Sequence, residues 1–200
     1  GCHRVIALGD CLSGPLQAAA TAGLLMAKAW KTVRGNHDRQ LLEGSQGASD
    51  RAARAQLGPA HEVWLRTLPP SLAFDIEGTA LYVCHATPAT DLRYLLEDVQ
   101  PGGVFLKDPT PELAGLDARL ILTGHSHIPR VVSLADGRTV VNPGSVGLPA
   151  YDDVTPHPHW MEAGSPHARF ATIDFAPGGV FTIAHHAIAY DHHSAAALAA

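Results

Sequence analysis

Short apolar, β-branched runs recur along the chain, each bounded by Gly, Pro, Asn or Asp, and runs of that length and punctuation read as buried strands. The pattern predicts strands over 4–8, 32–34, 72–76, 80–84, 119–122, 130–134, 139–141, 168–175 and 180–185. Helices fall between several of them. Residues 17–31 are Ala- and Leu-rich and follow Pro15; 39–57 read as a helical region broken around Gly44 and Gly47; 60–68 and 91–98 are shorter candidates. Strand and helix thus alternate through the first half, whereas the second half is mostly strands joined by turns such as Ala135-Asp136-Gly137. This mixture predicts an α/β fold of two packed mixed β-sheets with helices on their outer faces. Residues 1–190 read as one domain, and 191–200 as an Ala-rich tail, frayed or helical.

Composition removes several classes. At 200 residues and 46% hydrophobic, the chain is long and apolar enough to bury a core without disulfide or metal staples. A net charge of −5, with no dense basic cluster, argues against a nucleic-acid duplex held through its phosphates. No apolar run approaches the roughly 18 residues that span a bilayer, and the N-terminus shows no secretory pattern. Cys2, Cys11 and Cys84 have neither disulfide-framework nor zinc-ribbon spacing, which fits a reducing cytoplasm. The unusual feature is 13 His against 14 Lys plus Arg, because imidazole is both a metal ligand and an acid–base group near neutral pH.

Four stretches share one layout, an apolar strand followed by ligand-type residues. They are Val5-Ile6-Ala7-Leu8-Gly9-Asp10, Thr32-Val33-Arg34-Gly35-Asn36-His37-Asp38, Leu81-Tyr82-Val83-Cys84-His85 and Leu120-Ile121-Leu122-Thr123-Gly124-His125-Ser126-His127. Ligands of open α/β sheets bind beyond the carboxyl ends of strands. If these strands are neighbours, Asp10, Asn36, His37, His85, His125 and His127 converge on one pocket. A carboxylate, an amide oxygen and several imidazoles suit Mn, Fe, Zn, Co or Ni better than an all-oxygen calcium or magnesium cage. Two cations about 3.5–4 Å apart need a bridging carboxylate, and Asp10 is the candidate.

Gly9-Asp10, Gly35-Asn36-His37-Asp38, His85 and Gly124-His125-Ser126-His127 resemble, in order, elements of the calcineurin-like metallophosphoesterase superfamily. Asn142-Pro143-Gly144-Ser145-Val146-Gly147 is similar to the bacterial branch near diadenosine tetraphosphatases and small phosphodiesterases. The resemblance implies two divalent transition-metal ions, manganese favoured, with Asp10 bridging. Asn36, His85 and His125 would complete one site, and His127 would belong to the other. His37 would sit beside the phosphate, with Asp38 orienting its ring. The implied reaction is hydrolysis of a phosphodiester or dinucleoside polyphosphate by a metal-bridging hydroxide, and the implied partner is a small phosphate ester or nucleotide. The family's D-x-H element has no counterpart, so the strand and helix that carry it are expected to be missing. Ser13 stands where the pattern G-D-x-x-D ends in Asp. Two alternatives stay open: a phosphomonoesterase or phosphoprotein phosphatase, and a non-catalytic binding scaffold with an incomplete metal site.

Other residues carry plainer readings. Arg34 and Arg130 flank ligand elements and could meet a phosphate, but solvated or structural arginines are the default. Pro143-Gly144-Ser145-Val146-Gly147 lacks the first glycine of a serine nucleophile elbow and reads as a tight turn. His157-Pro158-His159, with Tyr151 and Trp160, reads as a surface loop packed by its own aromatics. Cys11 and Cys84 read as buried packing residues.

Overall fold

The computed structural model describes residues 3–199, so Cys2 lies outside the described residues. The first part of the chain runs β1 (Ile6–Ala7), α1 (Ala18–Lys28), β2 (Lys31–Thr32), α2 (Asn36–Glu43), α3 (Ala48–Arg54) and α4 (Pro59–Thr67). Next come β3 (Ser71–Ile76), β4 (Thr79–Cys84), β5 (Glu97–Gln100), β6 (Gly103–Leu106), β7 (Leu120–Leu122), β8 (Arg130–Ser133) and β9 (Thr139–Asn142). The remainder is β10 (Ala150–Asp153), β11 (His159–Glu162), β12 (Ala168–Ala176), β13 (Val180–Ile188) and α5 (His192–Ala199).

The central sheet is five-stranded and mixed, in the order β3-β4-β7-β9-β8. Its inner strands β4, β7 and β9 are parallel, and antiparallel β3 and β8 close the edges. Successive side chains of a strand point to opposite faces, and both faces of this sheet are covered. Leu81, Val83, Leu120, Leu122 and Val141 pack with Val33 and with Ile6, Leu8, Ile173, Phe175, Phe181 and Ile183. The second layer therefore consists of the parallel pair β1–β2 and the long hairpin β12–β13. On the opposite face, Ile121 and Val140 pack with Leu95, Leu96 and Leu113. A third core, Leu12, Ala18, Ala22, Leu41, Ala53, Leu65 and Leu68, joins α1–α4. No helix among the described residues is long and apolar enough to cross a membrane.

Three expectations need correction. The 91–98 segment is not helical: Leu95 and Leu96 are drawn into the sheet-face core, and the chain turns at once into the hairpin β5–β6. Tertiary burial overrides its helix-forming composition. Helix α2 begins at Asn36 rather than 39, because the backbone of Gly35 is extended and its N–H donates to Asp38 Oδ2 at 2.9 Å, capping the helix from within. Residues 157–158 do lie in the loop between β10 and β11, but His159 is not part of it. His159 opens β11, which pairs with β10, and is only 3% exposed.

Candidate metal centre

Two glycines shape the loops that carry the site. Gly9 turns out of β1 with φ +88°, and a Cβ there would lie 2.5 Å from the Gly35 nitrogen and 2.9 Å from His85 Nδ1. At Gly35 a Cβ would collide with the Asp10 side chain and backbone. The Gly9-Asp10 and Gly35-Asn36 turns are thus packed backbone against backbone. Asp10, His125 and His127 themselves have φ of 54°, 62° and 60°. Non-glycine residues pay for this left-handed conformation, and such strain gathers where a side chain must be aimed. Neighbouring bonds hold the turn at 124–127: Gly124 N–H donates to the His85 carbonyl (2.7 Å), and Asn142 Nδ2 donates to the Gly124 carbonyl (2.7 Å).

Asp10, Asn36, His85 and His125 meet at one point. His85 Nε2 lies 3.0 Å from Asn36 Oδ1, 3.1 Å from Asp10 Oδ2 and 3.2 Å from His125 Nδ1. One ligand atom from each of Asp10, His85 and His125 falls within 4.8 Å of the others. The other side of each ring is anchored. His85 Nδ1 donates to the Leu8 carbonyl at 2.6 Å, and the His125 ring bonds the Leu92 carbonyl. A carbonyl can only accept, so these bonds fix the tautomers and turn the remaining nitrogens, as lone pairs, toward the oxygens of Asp10 and Asn36. Four electron-rich atoms facing one another repel unless a proton or a cation lies among them. Such carbonyl-anchored imidazoles are the usual supports of metal-ligating histidines, and the residues present fit a divalent cation.

The electrostatics agree. Burial pushes the Asp10 carboxyl up, but His85 and His37 outweigh it and hold Asp10 well below the usual carboxylate range. Burial pushes His85 down, and Asp10 more than reverses this, so its proton is held tightly. His125 is pushed down to about 4 by burial and by His85, and burial also lowers His127. His127 stands beside the cluster rather than in it. Its Nδ1 donates to the Leu148 carbonyl at 2.7 Å, and its ring packs edge-on against Tyr151, centroids 5.0 Å apart.

His37 and Asp38 do not pair as the resemblance implied. Asp38 is fully buried, and its oxygens accept the backbone N–H groups of Asp10 (2.8 Å), Gly35 (2.9 Å) and Cys11 (3.1 Å). It clamps the two ligand loops together. Burial and the neighbouring Asp10 push its carboxyl up to about 6 against those donors. His37 Nδ1 instead meets Asp50 Oδ1 at 3.0 Å, while the His37 backbone N–H donates to Asp10 Oδ1 at 2.8 Å.

Asp50 and Tyr94 escape sequence reasoning, and Tyr151 and His159 are understated by it. Tyr151 Oη donates to Tyr94 Oη (2.9 Å) and lies 3.2 Å from the His125 carbonyl; Tyr94 Oη meets His159 Nε2 at 3.1 Å. This chain of contacts ties the β10–β11 hairpin to the ligand turn. No spacing signals it, since its members come from three separate segments. Of the two flanking arginines, Arg130 is committed to buried Glu97 at 3.0 Å. Arg34 shares with His85 the lining of a cleft of about 270 Å³.

Residues 1–157 match the calcineurin-like phosphoesterase superfamily domain. The chain belongs to that superfamily. Comparison with curated proteins finds no match. The calcineurin-like fold is shared with a metallophosphoesterase from Sphaerobacter thermophilus (21% identity, 99% of this chain and 82% of that one, TM-score 0.71). It is shared also with a hypothetical protein from Pyrococcus horikoshii OT3 (18% identity, 97% and 78%, TM-score 0.67). A proposed diadenosine tetraphosphatase aligns with TM-score 0.50 at 16% identity, over 91% of this chain and 80% of its own length. Superfamily membership and the donor cluster together support a metal-dependent phosphoesterase.

Proposed function

We propose that this protein is a dinuclear metallophosphoesterase that hydrolyses a phosphodiester or a dinucleoside polyphosphate. The observation that carries the metal-dependent reading is the convergence of Asp10, Asn36, His85 and His125, with the imidazoles anchored from behind so that their free nitrogens face acceptor oxygens. Those four residues would hold one divalent cation, and Asp10 with His127 would contribute to a second. Such cations polarise a phosphoryl group and acidify water.

The chain's own residues supply the rest. Asp38 keeps the loops of Asp10 and Asn36 in register through three backbone N–H bonds. His37, with its side chain 40% exposed, is free on its Nε2 side to donate a proton to the leaving oxygen or to stabilise charge on the phosphoryl group. Arg34, beside His85 in the cleft, supplies positive charge for a substrate phosphate. The diester preference and nucleotide substrate rest on the motif resemblance and on a single structural neighbour described in those terms. Cys11 and Cys84 are free thiols, which supports a cytoplasmic setting.

Metal-stripped protein reloaded with Mn²⁺ should turn over bis-p-nitrophenyl phosphate and diadenosine tetraphosphate faster than p-nitrophenyl phosphate. Dominant monoester turnover would sink the diester assignment. Stoichiometric metal without any turnover would leave a metal-binding scaffold.

A further inference from the structure

The His37 ring is held by a carboxylate from outside its own motif. Asp50, the third residue of α3, is 2% exposed, and its Oδ1 lies 3.0 Å from His37 Nδ1. The Ser13 hydroxyl donates to the same oxygen at 2.8 Å. Ser13 is three residues beyond Asp10, and the following Gly14 N–H donates to the Ser49 carbonyl at 3.2 Å, docking the Asp10 loop on α3. Asp38, adjacent in sequence, is engaged by backbone N–H groups. Burial alone would push the Asp50 carboxyl up, but hydrogen bonds from Ser45, Ser13 and His37 outweigh it and hold the group below its ordinary value. An ionised carboxylate is acceptor-only, so His37 Nδ1 must carry the hydrogen.

We propose that Asp50, braced by Ser13, is the positioning residue of His37: it fixes Nδ1 as the donor and turns Nε2 toward the leaving oxygen of the substrate. The inference rests on the phosphoesterase reading above. In the step it serves, water adds to phosphorus and releases one of its protons to solvent, and the ester P–O bond breaks. The leaving oxygen takes a proton from His37 Nε2. The neutral ring keeps its Nδ1 hydrogen on Asp50, and solvent returns a proton to Nε2 before the next turnover. A side chain as open to solvent as His37 would otherwise sample other rotamers and the other tautomer.

The test uses the full chain assayed with Mn²⁺ on aryl phosphodiesters whose leaving phenols differ in acidity, with metal content and Tm measured for each variant. Asp50→Asn should lower kcat roughly 10- to 100-fold on a phenol diester, part of the roughly 10²–10⁴-fold that a positioned general acid contributes, with KM little changed. On a p-nitrophenol diester, whose leaving group needs no proton, the loss should shrink to about threefold or less. In a His37→Gln background Asp50→Asn should add nothing further. Ser13→Ala should show a smaller loss with the same leaving-group dependence, and it carries the test if Asp50→Asn does not fold. Equal losses on all leaving groups, or a further loss in the His37→Gln background, would overturn the proposal and leave Asp50 a structural residue of α3. If the wild-type protein turns over none of the diesters, the diester reading of the proposed function falls and the proposal with it, an outcome recognisable before any variant is made.

Discussion

A methyl group at residue 35 has nowhere to go, because it would sit on the Asp10 carboxylate and backbone nitrogen. Gly35→Ala should therefore force the two ligand loops apart, costing about 1–3 kcal/mol of stability in a urea melt and at least tenfold in Mn²⁺ affinity. Unchanged affinity would show that the contact between the loops is dispensable. Asp38→Asn makes the complementary test. An amide keeps the size but places an NH₂ against one of three buried N–H donors, so a loss of about 1–3 kcal/mol is expected with no specific leaving-group effect. At this scale the sequence announces Asp10, Asn36, His85 and His125, because each closely follows an apolar run and three directly follow a glycine. It misassigns the partner of His37. Asp38 is next to it in sequence, but a helix start sends that side chain back to the loop, and only tertiary packing brings Asp50 to the ring.

Elements behave the same way. The strands of the central sheet are legible because each is an apolar run with a clear boundary. Strands β5 and β10 are not, since Glu-Asp-Val-Gln and Ala-Tyr-Asp-Asp carry no β-branched run, and each is a strand through its hairpin partner, β6 or β11. An ion pair ties the β5–β6 hairpin to the sheet: Arg130, opening β8, meets Glu97, opening β5, at 3.0 Å. Burial pushes the Glu97 carboxyl above its ordinary value, against the pull of Ser126 and Arg130. An acid whose pKa is raised on folding binds its proton more tightly in the folded state, so its ionised form is a liability above that pKa, relieved as pH falls through it. Removing the partner worsens this. Arg130→Met should destabilise by about 3 kcal/mol or more at pH 8 and by less at pH 5. Adding Glu97→Gln should recover most of the loss and flatten the pH dependence. A pH-independent loss in chemical denaturation would show that Arg130 acts by packing alone.

The whole molecule meets at the ligand cluster. Asp10 follows β1, Asn36 opens α2, His85 follows β4 and His125 follows β7, so the second layer, the helical core and the central sheet each contribute. Any cation that joins these four groups binds the folded chain and not the unfolded one, and it stabilises all three units together, by about 2.7 kcal/mol at a hundredfold excess over Kd. His85 sets the pH dependence of that coupling. Asp10 holds the His85 proton more tightly than an ordinary imidazole would, while His125 and His127 are already neutral near pH 7 because burial depresses them. The proton that an incoming cation must displace is therefore the one on His85. Calorimetry of Mn²⁺ binding in two buffers of different ionisation enthalpy should show about one proton released per ion below the pKa of His85, with affinity falling about tenfold per pH unit there. His85→Asn should abolish both the released proton and most of the metal-induced rise in Tm. Proton release that persists in His85→Asn would place the displaced proton elsewhere, on Asp38. Affinity in the wild type that stays level as pH falls would mean the four groups do not hold the ion together.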